Sequence, residues 1–194
     1  MKILKKILIV LGVLVGIFLL LGLFAKKDYM VERQVTINKP KQEVFEFVKS
    51  LKNQDRYSYW AQQEPDMKKS YMGTDGTTGF VSSWEGKKMG EGEQEIIKID
   101  DGNRIDYALR FKKPMEDNAT SYMTTESSGD NQTTVKWGIQ GKMGYPMNAM
   151  QLFGFMDKMM GSQLETGLNN LKTLLESNSN TPAVEPEKNE SINN

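Results

Sequence analysis

Nineteen consecutive apolar or glycine residues, Ile7 to Ala25, leave the start of this chain one way to fold. Lys2, Lys5 and Lys6 precede the run and Lys26 and Lys27 follow it. As a helix it spans roughly 30 Å, the thickness of a bilayer's hydrocarbon. No face of it is polar, which excludes an amphipathic helix lying on a soluble core. A cleaved signal would have a shorter apolar stretch and a small-residue site. Here Gly22-Leu23-Phe24-Ala25 puts bulky Leu23 where a small residue is required. Residues 1–27 therefore read as an uncleaved single-pass anchor, attached to the membrane through Ile7 to Ala25. The basic N-terminal tail favours the cytoplasm. Lys26, Lys27, Arg33, Lys39 and Lys41 on the other side nearly balance it, and the reading adopted is tail inside and domain extracytoplasmic. Gly12 and Gly16 form a GxxxG pair, a spacing common by chance in glycine-containing spans.

The remainder is polar enough to stay in water. Residues 28–194 carry 20 basic and 25 acidic side chains, a net charge of −5. That lacks the basic excess of a nucleic-acid-binding domain, and no nucleic-acid partner is expected. The chain has no cysteine and no histidine. Disulfides, thiolate catalysis, Cys-based zinc sites and imidazole general bases are excluded, and no metal or cofactor is expected. Residues 177–194 hold almost no large apolar side chains and read as a disordered tail. Residues 28–176 are left as one domain, long enough for its own core.

Along that domain the hydrophobic period changes three times. Tyr29, Val31, Arg33, Val35 and Ile37 alternate with polar residues, as in a strand with one buried side. Pro40 suits a helix start, and Val44, Phe45, Val48 and Leu51 follow at helical spacing. Asn53 to Trp60 suggests a second short helix, aromatic through Tyr57 and Trp60. Strands then follow at Gly79–Glu85, Gly92–Ile99 and 105–111, the last two joined at Asp100-Asp101-Gly102-Asn103. Two more run from about Thr120 to Glu126 and from Thr133 to Gly141. Phe153, Met156, Met160, Leu164, Leu168, Leu171 and Leu175 finally step by three or four residues along one long helix. Gly154, Gly161 and Gly167 weaken it and predict a bend or a split start. Strands and helices segregated in this way indicate an α+β layer fold.

Several local signatures carry a family likeness. They are Val35-Thr36-Ile37-Asn38-Lys39-Pro40 with Val44-Phe45 and Phe47-Val48, then Tyr57 and Trp60, Gly79 to Trp84, Gly90-x-Gly92, and Thr134-Val135-x-Trp137. In this order the chain resembles the START-like superfamily, and within it the polyketide cyclase/dehydrase and lipid-transport group (SRPBCC-type). The likeness spans about residues 29–176. It implies a helix-grip: a curved antiparallel sheet of six to seven strands around the C-terminal helix, enclosing an apolar cavity. Members bind lipids, quinones, hormones or polyketides, and a minority cyclise or dehydrate the ligand. No motif in this chain carries such catalytic residues over, so no catalytic residue is assigned and the reading leans away from an enzyme.

On that frame the expected cavity wall is Phe80, Ser82, Trp84, Tyr107, Leu109, Phe111, Trp137, Phe153, Met156 and Met160. Trp84, Tyr107, Phe111 and Trp137 would stack on a flat or greasy ligand, with Tyr or Trp donating one hydrogen bond. The same rings would serve equally as plain core. Methionines crowd between Met143 and Met160 and suit an adaptable apolar surface or an irregular core. Met156, Met159 and Met160 could offer soft sulfur to Cu(I), but no His or Cys stands beside them. Ser82, Ser83, Thr124 and Glu95 are the polar candidates for the interior. The parity of the Gly92–Ile99 strand is ambiguous: Ile96 competes with Ile97 and Ile99, and the preferred phase leaves Glu93 and Glu95 solvated. Function then reads as a membrane-anchored binding domain for a hydrophobic small molecule, lipid or quinone-like. A polyketide cyclase/dehydrase-like enzyme and a ligand-free interaction module at the membrane are the alternatives.

Overall fold

The computed structural model describes residues 2–177. The tail expected at 177–194 lies outside them except for Ser177, which ends the last helix. Helix α1 (Lys2–Phe24) is bare over nearly its whole length. By length and composition it is the one described helix able to cross a membrane, a property it shares with signal sequences. Strand β1 (Asp28–Ile37) begins four residues after it.

Helix α2 (Lys41–Lys49) buries Val44, Phe45 and Val48 and stops earlier than its apolar spacing implies. Ser50 turns extended, its hydroxyl accepts from the Asn53 N–H at 3.1 Å, and the short α3 (Leu51–Gln54) begins. Asp75 fixes the break by accepting from the Ser50 hydroxyl at 2.5 Å and the Leu51 N–H at 2.9 Å. The second helix expected across Asn53–Trp60 is therefore two pieces, α3 and α4 (Tyr59–Gln63), with Tyr57 buried between them.

The strands β2 (Lys68–Met72), β3 (Val81–Glu85), β4 (Glu91–Asp100), β5 (Arg104–Lys113), β6 (Asp117–Gly129) and β7 (Gln132–Lys142) complete an open antiparallel sheet. Its order is β1-β7-β6-β5-β4-β3-β2. Strand β2 has no counterpart in the sequence reading: it is a short, polar edge with little alternation. The ambiguity in β4 is resolved by a bulge between Ile96 and Lys98. Ile96 is wholly buried opposite Tyr107, Ile97 is the extra residue and 43 % exposed, and Ile99 rejoins the inner face opposite Ile105. One inserted residue lets both phases of the pattern hold.

After β7 a 3₁₀ helix (Met147–Phe153) ends at Gly154, whose φ of 65° is left-handed. Helix α5 (Phe155–Ser177) then packs Leu164, Leu168, Leu171 and Leu175 on the sheet. The expected split start is real, and it removes Phe153 from the stripe. Two of the glycines that weaken α5 have packing reasons. A Cβ at Gly167 would stand 2.9 Å from the Trp137 ring, and Gly161 lies under the Arg33 guanidinium. Arg33 in turn holds both carboxylate oxygens of Asp157, at 3.0 and 3.1 Å. Antiparallel sheet and long C-terminal helix together make the α+β helix-grip fold.

Candidate ligand cavity

Antiparallel register arranges the inner face in rows across the sheet. Phe80, Ile96, Tyr107, Ser121, Ile139 and Val31 form one row. The next is Ser82, Gln94, Leu109, Ala119, Gly141 and Tyr29, followed by Trp84, Gly92 and Phe111. Helices α2 and α5 fill the space above Phe80, Ile96 and Tyr107 of the first row, while Ser121 and Ile139 of that row border open space. Above the other two, nearer the end where β1 begins, they leave a cavity of about 480 Å³, the size of an ordinary small-molecule site.

Of the ten expected wall residues, Ser82, Trp84, Leu109, Phe111, Trp137, Met156 and Met160 line this space. Phe80 and Tyr107 face inward as predicted but one row too far along, wholly buried in solid core. Phe153 is a correction: it sits on the 3₁₀ helix, 64 % exposed, and is not part of this cavity's wall. Among the four polar candidates only Ser82 enters. Ser83 and Thr124 lie on the outer face, and Glu95 pairs there with Arg110 at 2.5 Å. Residues the sequence reading did not place complete the wall, among them Gln54, Ser58, Met67, Met89, Gln94 and Ala119.

The aromatic wall is built edge to face. Trp137 meets Tyr57 at 5.9 Å and Trp60 at 5.7 Å between centroids, and Trp84 meets Phe111 at 6.0 Å. Gly92 leaves the room that the Trp84 ring occupies: a Cβ there would stand 2.7 Å from the Arg110 carbonyl oxygen and 2.8 Å from Trp84 Cη2. The indole N–H groups of Trp84 and Trp137 are already engaged. Trp137 Nε1 donates to Ser121 Oγ at 3.1 Å and Trp84 Nε1 to the Met89 carbonyl at 3.4 Å. The Trp60 indole N–H and the Tyr29 hydroxyl have no hydrogen-bond partner among the described residues and keep the expected aromatic donor available, joined by the side chains of Gln54, Ser58, Ser82 and Gln94, which have none either.

The charged groups lie at the margin. Lys69 pairs with Asp55 at 2.7 Å, and the Tyr71 hydroxyl donates to the same carboxylate at 2.8 Å. Burial, followed by the Asp55 carboxylate, pushes the Tyr71 phenol up to about 12, and burial also raises that of Tyr29. Neither phenol is an acid–base group near neutrality. Glu64 accepts from the backbone N–H groups of Lys87, Lys88 and Met89 at 2.7, 2.9 and 3.1 Å. Those three bonds hold its pKa below the usual carboxylate range and fix the β3–β4 turn, from which Lys88 and Met89 reach the cavity.

Comparison with known proteins agrees with this geometry. A family model described as polyketide cyclase/dehydrase and lipid transport matches residues 30–176. The chain belongs to that family. No curated protein sequence matches it. Among solved structures, a protein from Nitrosospira multiformis shares 16 % identity at TM-score 0.54, covering 79 % of this chain and 100 % of that one. A truncated norcoclaurine synthase from Thalictrum flavum shares 9 % at TM-score 0.55, covering 78 % and 95 %. Ara h 8.0201 shares 14 % at TM-score 0.51, covering 77 % and 99 %. At such identities these neighbours establish the fold that the polyketide cyclase/dehydrase family takes here: the START-like helix-grip.

Proposed function

We propose that this chain is a membrane-anchored binding domain for a hydrophobic small molecule with one hydrogen-bonding head, lipid or quinone-like, held in the cavity beneath α5. The observation that carries this is the cavity's composition. Trp84, Leu109, Phe111, Trp137, Met156 and Met160 supply an apolar wall, while Gln54, Ser58, Ser82 and Gln94 offer unengaged polar groups. A ligand needs both, the first for affinity and the second for orientation. Asp55 is the single carboxylate in the wall among the described residues, and Lys69 and Tyr71 already hold it, so binding is favoured over acid–base chemistry.

The anchor reading gains support from the foot of α1. Asn148 is wholly buried, and its amide donates to the carbonyls of Gly22 at 2.7 Å and Ala25 at 2.9 Å. Gln151 donates to the Lys27 carbonyl at 3.0 Å. The domain holds a socket for the end of this helix, as suits a helix that stays attached. With the basic tail in the cytoplasm, the domain is extracytoplasmic and single-pass, and the tether confines the cavity to the surface where greasy molecules partition.

The test is extraction and mass spectrometry of the full chain purified in mild detergent, beside Ala119→Trp, which puts a large ring into the cavity from the middle of its row. The expected result is one lipid or isoprenoid class enriched with the wild-type chain and lost in the variant. Equal recovery from both, with the variant folded, overturns the proposal.

A further inference from the structure

The sheet register fixes which end of the domain adjoins the anchor. Asp28, the first residue of β1, lies opposite Lys142, beside the row that holds Ala119, Leu109, Gln94 and Ser82. The two cavity rows are thus at the anchor end of the sheet, and the β4–β5 turn at Asp101 is at the far end. Helix α5 starts at the anchor end and finishes at the other, where Glu176 accepts from the Asn38 N–H at 2.8 Å.

At the anchor end the surface is apolar where a soluble domain would be polar. Met147, Leu152, Phe153, Phe155 and Met159 are exposed along one short stretch, and Phe24 is bare beside it. The 3₁₀ helix carrying three of them is hydrogen-bonded to the last turn of α1 through Asn148. Where that turn leaves hydrocarbon, a segment bonded to it sits at the bilayer surface. Lys26, Lys27, Lys87, Lys88 and Lys158 have no ion-pair partner among the described residues and stand at the same end, against Glu64, Asp66, Glu116 and Asp117, which have none either. Exposed apolar side chains with free lysines at the same end fit the headgroup boundary of a membrane.

We propose that the 3₁₀ helix and the first turn of α5 form a lip that lies in the bilayer surface, held at that depth by Asn148. Met156, Met159 and Met160 in the first two turns of α5 line the cavity, so a ligand passes between bilayer and cavity along this lip without crossing water. The inference deepens the binding proposal and rests on its retained anchor.

The chain has no cysteine, so single probes are unambiguous. The full chain is reconstituted in vesicles of phosphatidylcholine with anionic phosphatidylglycerol. A polarity-sensitive fluorophore is placed at Phe153→Cys, at Phe155→Cys as a second site, and at Asp101→Cys as the distal control. Emission at 153 and 155 is expected to shift to shorter wavelength and to be quenched by lipids bearing a shallow nitroxide, and emission at 101 to do neither. Adding Asn148→Ala is expected to reduce quenching at 153 while the chain still resists carbonate extraction. Water-like emission at 153 and 155 from a carbonate-resistant chain overturns the lip alone. Release of the chain by carbonate overturns the anchor reading and the lip with it. A blue shift that disappears as protein is diluted in lipid assigns the face to a second copy and overturns the lip.

Discussion

The indole N–H of Trp137 on β7 reaches the hydroxyl of Ser121 on β6 across 3.1 Å, with both residues buried. The bond locks this ring of the cavity wall against the sheet, in edge-to-face contact with Tyr57 and Trp60. Replacing Ser121 by Ala strands a buried donor, which costs about 1–3 kcal/mol. Urea unfolding of the full chain in micelles reads the loss, and Ser121→Thr, which keeps the hydroxyl, should recover most of it.

Gln94 sits between Ser82 and Leu109, at the seam of polar and apolar wall. Gln94→Leu removes a hydrogen-bonding group and keeps the volume nearly constant. Binding of a ligand with a polar head is expected to weaken by about threefold to tenfold, the worth of one neutral hydrogen bond. A pure hydrocarbon probe should bind unchanged or more tightly. Titration with the two probes separates a directed site from a merely greasy one.

Gly167→Ala tests the contact between α5 and the cavity wall. Alanine favours the helix by up to about 1 kcal/mol, but its Cβ would meet a buried ring at 2.9 Å, and overpacking of that kind costs about 1–3 kcal/mol. The net expectation is a variant less stable by about 1 kcal/mol. Near-ultraviolet circular dichroism should change as Trp137 shifts, with the far-ultraviolet spectrum preserved.

Glu64 gives the cavity margin a pH dependence of defined sign. Its carboxylate is held below the ordinary range by the three N–H groups of Lys87, Lys88 and Met89. The ordering it supplies is complete above the carboxyl's unfolded pKa and is lost as pH falls through the lower folded value. Amide exchange at residues 87–89, corrected for intrinsic rates, should accelerate in acid well before the core opens. Glu64→Gln should show the accelerated exchange already at neutral pH.

Much of the architecture was legible because period reports side-chain direction: Val135, Trp137 and Ile139 on β7, or Leu164 to Leu175 on α5, point inward as their spacing says. Depth along a strand leaves no such mark, and Tyr107 and Leu109 share a parity while one is core and the other cavity. Strand β2 escaped because an exposed edge with Lys68 and Lys69 has little hydrophobic contrast. The β4 conflict was a real signal, two incompatible phases joined by one extra residue. Gln54 ends the single-turn α3, and Ser58 and Met67 lie in irregular segments on either side of α4, all too short for a periodicity to read. Phe153 was misplaced because its spacing continued the α5 stripe across a left-handed glycine that ends the register.

The first strand of this sheet hydrogen-bonds to the last one, Val35 opposite Val135, with everything between them in the chain still to be made when β1 leaves the ribosome. Closing so long a loop is slow. The edge that β7 will cover therefore waits until synthesis is nearly finished. Any factor that shields nascent β-edges has its longest opportunity on β1, and truncation before β7 removes the partner that ends the wait.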